Sequence, residues 1–183
     1  METLIDLDKS FFIFLNSLGS EFFDSFWMFV TDKKSSIPLY FFLIYYIYKK
    51  LSNNDFLKYF ILIIILIVFT DQFSGLFKDY FERFRPCHDT SINDSIRIVK
   101  EGCGGLYGFF SAHAANSFAL ATFFYFSFRK FSSNFKYLFL WAIIVSYSRI
   151  YIGVHFPGDV IIGSCFGIIT GYLFSIASFK TKF

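Results

Sequence analysis

Three short polar stretches contain side chains whose types and spacing could do chemistry. The richest is Ser148-Arg149-Ile150-Tyr151-Ile152-Gly153-Val154-His155-Phe156-Pro157-Gly158-Asp159, which sets a guanidinium, an imidazole and a carboxylate within twelve residues. Pro157 suits the first turn of a following helix. Asp159 comes four residues after His155, so one turn can bring its carboxylate to an imidazole nitrogen. That contact would fix the tautomer and leave the second nitrogen as a nucleophile or a ligand. Arg149 supplies a planar fork that can clamp phosphate oxygens. A second stretch runs from Lys78 to Pro86. Lys78 and Arg85 are seven apart, which predicts both cations on one helix face, with Pro86 ending the helix. In the third, Gly108-Phe109-Phe110-Ser111-Ala112-His113, Ser111 reads as a helix N-cap. The first-turn amides behind it, with the helix dipole, make an oxyanion site. His113 sits just inside, where it can give or take a proton near neutral pH.

Each stretch also has a plainer reading. Lys78 and Arg85 could snorkel and anchor a helix end at head-group level, and His113 could be an interfacial residue that only hydrogen-bonds. The last stretch could be a loop with an interfacial salt bridge. Taken together, however, they hold three fixed cations, two histidines and one orienting carboxylate. There is no acidic cluster for a magnesium pair and no His/Cys set for zinc. That balance suits phosphoryl transfer without a metal or cofactor, with electrostatic clamping of the phosphoryl oxygens carrying much of the rate. Cys87, Cys103 and Cys165 lack metal-ligand spacing. Cys87 and Cys103 share one connection, where they are either free thiols or, in an oxidising compartment, a disulfide. Cys165 falls in an apolar helix.

These groups must be positioned by apolar elements. In 183 residues the hydrophobic share is 55%, mean hydropathy is +0.52 and 31 residues are Phe. A soluble domain of this size could not bury so much aromatic surface, which predicts an all-α, polytopic helical membrane protein with a single domain over 1–183. The net charge of +3, with no Lys/Arg-rich run, does not point to nucleic acid. No signal-peptide pattern opens the chain. Within residues 4–18, Leu4, Leu7, Phe11, Phe14, Leu15 and Leu18 recur at helical spacing, as in an amphipathic helix lying in the interface. Residues 21–31 are a second interfacial helix or the start of a broken span, so region 1–35 is interfacial or partly spanning. Stronger apolar segments follow at 36–48, 56–77, 110–128, 136–152 and 157–178, giving five to six transmembrane helices. The long charged connection from Asp79 to Gly108 has the length of a functional loop. Lys49, Lys50 and Lys58, then Arg129, Lys130 and Lys136, then Lys180 and Lys182 fall on one side of such an arrangement. The positive-inside rule makes that side cytoplasmic and puts all three polar stretches on the outer face.

The polar stretches resemble the type 2 phosphatidic acid phosphatase family, whose site is shared with vanadium haloperoxidases and glucose-6-phosphatase. The family's K-x6-R-P stands here as Lys78…Arg85-Pro86, and its S-R-x5-H-x3-D as Ser148-Arg149…His155…Asp159. Its P-S-G-H departs, with Phe110-Ser111-Ala112-His113 in its place. The resemblance covers about 56–178, the catalytic helical core. It implies that His155 attacks phosphorus to form a phosphohistidine, that Asp159 orients it, and that His113 protonates the leaving oxygen and then activates water. It implies further that Lys78, Arg85, Arg149, Ser111 and a backbone amide near Ala112 hold the phosphoryl oxygens. The alanine methyl at 112 could crowd a backbone approach that glycine permits, tuning rate or preference rather than removing activity. Among similar bacterial proteins the leading substrate is undecaprenyl diphosphate, cleaved to the monophosphate at the outer face of the plasma membrane during envelope carrier recycling. A lipid A phosphatase and a phosphatidylglycerophosphate or phosphatidate phosphatase are the alternatives. A haloperoxidase and a non-catalytic lipid-binding protein are remoter. The expected partner is a lipid phosphate in the bilayer. The oligomeric state stays open.

Overall fold

The chain is helical, in line with its composition. The computed structural model describes residues 2–180 and holds seven α-helices and, among the described residues, no β-strand. They are α1 (Glu2–Ser17), α2 (Glu21–Thr31), α3 (Ile37–Lys50), α4 (Asn53–Phe81), α5 (Ala112–Phe128), α6 (Tyr137–Tyr151) and α7 (Pro157–Lys180). Helix α4 and the Pro157–Ser178 part of α7 are long and apolar enough to cross a membrane. Only 22% of the most apolar stretch of α4, and 33% of that of α7, is buried in the protein. Their Ile, Val and Leu side chains therefore face outward, a surface suited to lipid rather than water. The remaining expected spans, α3, α5 and α6, have 14, 17 and 15 residues. They reach about 21 to 26 Å, somewhat less than a ~30 Å hydrocarbon core. Helix α2, with 11 residues, is too short to cross alone.

Helix α5 forms the centre, with eleven of its 17 residues buried. Its closest neighbour is α7, through Gly163, Gly167 and Gly171, spaced every fourth residue along one face. A Cβ on Gly163 would lie 2.6 Å from the Ser111 carbonyl oxygen, and Cβ atoms on Gly167 and Gly171 would run into the carbonyls of Ala115 and Ala119. Small residues at this spacing let two backbones approach as in tightly packed membrane helices. Leu43, Ile63, Leu66, Phe123, Phe124 and Phe128 belong to the larger apolar core, toward the end of the bundle where α3 passes to α4 and α5 to α6. Lys58 hydrogen-bonds the Ser178 carbonyl there, so the start of α4 and the end of α7 share that end. Lys182, one of the charges used for topology, lies outside the described residues.

At the opposite end α1 does more than lie in an interface. Leu4, Leu7, Phe14 and Leu18 point away from the protein, while Asp8, Phe12 and Asn16, spaced by four, face it. The fully buried Phe12 ring packs edge-on against Phe156 at 5.3 Å. Asn16 donates through Nδ2 to the carbonyls of Arg97, Ile150 and Tyr151 and accepts from the Arg97 amide. Helix α1 thus clamps the turn between α6 and α7 that carries His155.

The second polar stretch corrects an expectation. Helix α4 ends at Phe81, and Glu82 closes it in the left-handed conformation with φ 47°. Lys78 is in the last turn, but Arg85 is off the helix, so the two cations do not share a helix face, and Pro86 opens a short 3-10 turn instead of ending the helix. The Arg85 amide donates to the Leu106 carbonyl and the Gly108 amide to the Arg83 carbonyl, folding the long connection back on itself. A Cys87–Cys103 disulfide ties the two arms, with Cα atoms 6.2 Å apart. His88 lies close enough to both sulfurs for a metal triad, but the disulfide takes both thiolates away.

Candidate active site

The nucleophile candidate sits in a five-residue turn, Ile152 to Phe156, between α6 and α7. The Val154 and His155 amides both donate to the Arg149 carbonyl, wrapping the turn over the end of α6. His155 is 2% exposed, and its Nδ1 lies 3.3 Å from Asp159 Oδ2. Pro157 opens α7, so Asp159 falls in its first turn, where the Phe156 amide also donates to Oδ2 at 3.0 Å. With Nδ1 engaged by the carboxylate, Nε2 is left to react. Burial, then the charges of Arg149, Arg85 and Lys78, hold the imidazole well below the ordinary histidine range. It is therefore neutral at pH 7, the form in which a nitrogen lone pair can attack.

The three cations around it are held by different elements. Lys78 reaches from the last turn of α4, its Nζ donating to Ser74 Oγ at 2.8 Å. Arg85 is fixed by the folded-back connection, donating from Nε to the Tyr107 carbonyl at 3.1 Å and from Nη1 to the Cys103 carbonyl at 3.3 Å. Arg149, 4% exposed, donates from Nη1 to Thr31 Oγ1 at the end of α2. Its Nε is buried with no hydrogen-bond partner among the described residues. A buried guanidinium nitrogen without an acceptor is costly, and an anion between Arg149 and the neighbouring cations would satisfy it.

The third stretch completes the enclosure. Ser111 caps α5, its Oγ accepting from the Ala114 amide at 3.4 Å, while its own amide donates to the Asp159 carbonyl at 3.0 Å. Ala112 and His113 begin α5, where first-turn amides have no acceptor within the helix. His113 lies one residue inside the helix start that Ser111 caps, close enough to Arg149 and His155 to feel their charges. All eight residues singled out from the sequence (Lys78, Arg85, Ser111, Ala112, His113, Arg149, His155 and Asp159) therefore meet at one end of the bundle.

Three further residues belong to the constellation. Arg83 donates from Nη1 to Asp159 Oδ1 at 2.7 Å and from Nη2 to Asp8 Oδ2 at 2.6 Å, with its guanidinium 4.4 Å from the Phe156 ring centre. Asp8 accepts from the Gly158 amide through its other oxygen at 2.8 Å. Both carboxylate oxygens of Asp159 are thus occupied, and its orientation is tied to α1 across more than a hundred residues of chain. Gly108 is the third. A Cβ there would lie 3.1 Å from Asp159 Oδ2, 3.2 Å from Arg85 Cγ and 3.5 Å from His155 Nδ1, so only glycine lets this backbone pass so close to the site. Arg83 and Gly108 lie inside the polar stretches and could have been weighed. Asp8 carries no signal in a single sequence.

The chain is similar to known proteins along most of its length. The PAP2 superfamily profile matches residues 56–183. A lipid A 4'-phosphatase of Bacteroides thetaiotaomicron is 36% identical over 182 residues, covering 98% of this chain and 80% of the relative. A lipid A 4'-phosphatase of Porphyromonas gingivalis is 31% identical over 175 residues, covering 94% and 73%. Among solved structures, Aquifex aeolicus LpxE superposes with a TM-score of 0.69 at 25% identity, covering 96% of each chain. The PAP2-type phosphatidylglycerolphosphate phosphatase of Bacillus subtilis superposes with a TM-score of 0.75, covering 100% of this chain and 89% of that one. Its identity of 19% speaks to the fold alone. The two complete polar motifs, their convergence around a buried histidine, and the match along most of the chain lead to one conclusion: this protein belongs to the PAP2 superfamily, the type 2 phosphatidic acid phosphatases, as a membrane lipid phosphatase.

Proposed function

We propose that the chain is a single domain over 1–183, with its catalytic core at 56–178, that removes a phosphate from a phosphorylated glucosamine lipid of the lipid A type. Relatives with 36% and 31% identity along nearly the whole chain, both lipid A 4'-phosphatases, favour this substrate over undecaprenyl diphosphate. Neutral Nε2 of His155 attacks phosphorus while the bond to the lipid oxygen breaks, and His113 gives that oxygen its proton. Water then attacks the phosphohistidine, His113 takes the water's proton, and the P–N bond breaks to release phosphate and restore His155. Asp159 holds the imidazole and balances the charge it gains. Lys78, Arg85, Arg149, Ser111 and the amides at the start of α5 spread over the phosphoryl oxygens.

One observation carries the reading: a buried neutral imidazole held by a carboxylate and ringed by three cations, one with an unpartnered nitrogen. In this scheme the protein's own cations do the electrostatic work, and activity survives EDTA. The positively charged ends of α3, α5 and the α6 approach favour that side as cytoplasmic, and this supports a site at the outer leaflet of a bacterial plasma membrane. The test is phosphate release from lipid A, undecaprenyl diphosphate, phosphatidylglycerophosphate and phosphatidate, with His155→Ala as control. Lipid A should be the preferred substrate, and preference for another lipid would overturn the assignment. Equal release by His155→Ala would overturn the mechanism.

A further inference from the structure

Beside the phosphoryl cage, on the His113 side, lies a cavity of about 320 Å³ bounded by the end of α2, α3, α4, α5 and α6. That is within the ~300–1,000 Å³ range of small-molecule sites. Its polar lining includes Asp32, Lys33, Asp71, Gln72, His113 and Asn116. Tyr40 and Trp141, packed edge-to-face with ring centres 6.1 Å apart, add aromatic walls. Apart from His113, none of these residues has a task in the phosphoryl chemistry.

Asp71 is the most demanding of them. It lies ten residues before the end of α4, about 15 Å along the axis from the site end of a membrane-crossing helix. Within the apolar run of such a helix an exposed ionisable group is costly against lipid and marks a functional position. The side chains of Asp71 and Gln72 make no hydrogen bond or close ion pair among the described residues. Asp71, Ser74 and Lys78 are spaced by three and four, so they form one stripe on α4 from the cavity to the phosphate-holding lysine. A hydrocarbon chain placed here would desolvate these groups without pairing them. A polyhydroxyl or amide-bearing group would satisfy them, and aromatic walls suit the apolar face of a sugar ring.

Reaction geometry points to the same space. In-line displacement puts the leaving oxygen opposite His155, on the side of its proton donor, His113. Whatever is attached to that oxygen must then extend into the space His113 lines. We propose that this cavity is the leaving-group subsite, and that it seats the sugar of a phosphorylated hexosamine lipid, with Asp71 and Gln72 hydrogen-bonding its hydroxyl and amide groups. The proposal rests on the reading of the substrate as a phosphorylated glucosamine lipid.

The experiment compares kcat/KM for lipid A with kcat/KM for phosphatidate, whose leaving group is a glycerolipid, in wild type, Asp71→Asn, Asp71→Ala and Gln72→Ala. Thermal unfolding is followed alongside. The lipid A to phosphatidate ratio should fall by roughly tenfold or more in both alanine variants, chiefly through KM, and less in Asp71→Asn, which keeps a hydrogen-bonding group. Gln72→Ala removes no charge near Lys78, so a lower ratio in that variant reports recognition rather than altered electrostatics. Equal loss on both lipids in both alanine variants, or no loss on either, overturns the subsite. Wild type that prefers phosphatidate overturns the substrate reading and the subsite with it. Wild type that prefers lipid A while the ratio stays fixed in the variants overturns the subsite alone.

Discussion

The two ends of the helical bundle hold together by different means. At the α3–α4 end, Leu66, Phe123, Phe124 and Phe128 pack apolar against apolar, and most of what matters is volume. At the His155 end, polar and charged side chains are placed one against another, some buried and some half-exposed: Arg83 against Asp8 and Asp159, Asp159 against His155, and Arg97 against Asp24. The first arrangement tolerates exchange among hydrophobic residues of similar size. The second fixes atoms to within hydrogen-bond distance, which a phosphoryl cage needs and an apolar core does not. Stability and chemistry are thus largely segregated along the bundle axis, and substitutions should separate them.

The sharpest break is expected at Arg149. Arg149→Met removes a phosphate donor without adding volume and should lower kcat/KM by about 10²–10³-fold. Arg149→Lys should restore only part of it, since a lysine lacks the planar fork; near-wild-type rates for either variant would remove Arg149 from the cage. At the other end, Phe123→Ala should cost about 3–5 kcal/mol of stability. The enzyme surviving at permissive temperature should keep its kcat, and a fall in kcat matching Arg149→Met would erase the contrast between the two ends.

Positioning gives a smaller effect. Asp8→Asn leaves the reacting groups intact but weakens the hold on Arg83 and the Gly158 amide, and kcat should fall by roughly tenfold with little change in KM. Arg83→Lys should retain more activity than Arg83→Ala, whereas equal values would reduce Arg83 to packing. The mildest effect concerns pH. The unfolded chain protonates His155 near ~6.5, whereas the buried ring stays neutral well below that, so stability falls as pH drops through the ordinary histidine range. Chemical unfolding between pH 7.5 and 5 should show this slope, and it should flatten in His155→Gln. An unchanged slope would mean that His155 does not carry it.

How much of this could be read beforehand depended on the range of each interaction. The candidate site residues were legible because chemistry constrains type and spacing within short stretches, as in His155 and Asp159 one helical turn apart. Their convergence followed from alternating spans and the placement of lysines. The geometry of Arg85 was not legible, because α4 ends at Glu82 in a left-handed conformation that no glycine announces. Lys78 and Arg85 meet through a folded-back loop instead of a shared helix face. The inward side of α1 was hidden for a different reason. Periodicity located its apolar stripe, but in a membrane protein such a stripe turns toward lipid, leaving Asp8 and Asn16 to face the protein. Gly163, Gly167 and Gly171 form a close-packing ridge at four-residue spacing, a signal weaker in the sequence than the aromatic composition around it. The Cys87–Cys103 pairing was left open by composition and is resolved by the way Arg85 and Gly108 draw the two arms together.

The proposed mechanism requires that His155 become covalently phosphorylated. The direct measurement is rapid alkaline quenching of enzyme mixed with phosphate-labelled lipid A, followed by peptide mapping of protein-bound phosphate. Acid-labile, alkali-stable label should appear within the first turnover on the peptide carrying His155 and be absent from His155→Ala. Full turnover with no protein-bound label at any quench time, or label carried by another residue, would contradict it.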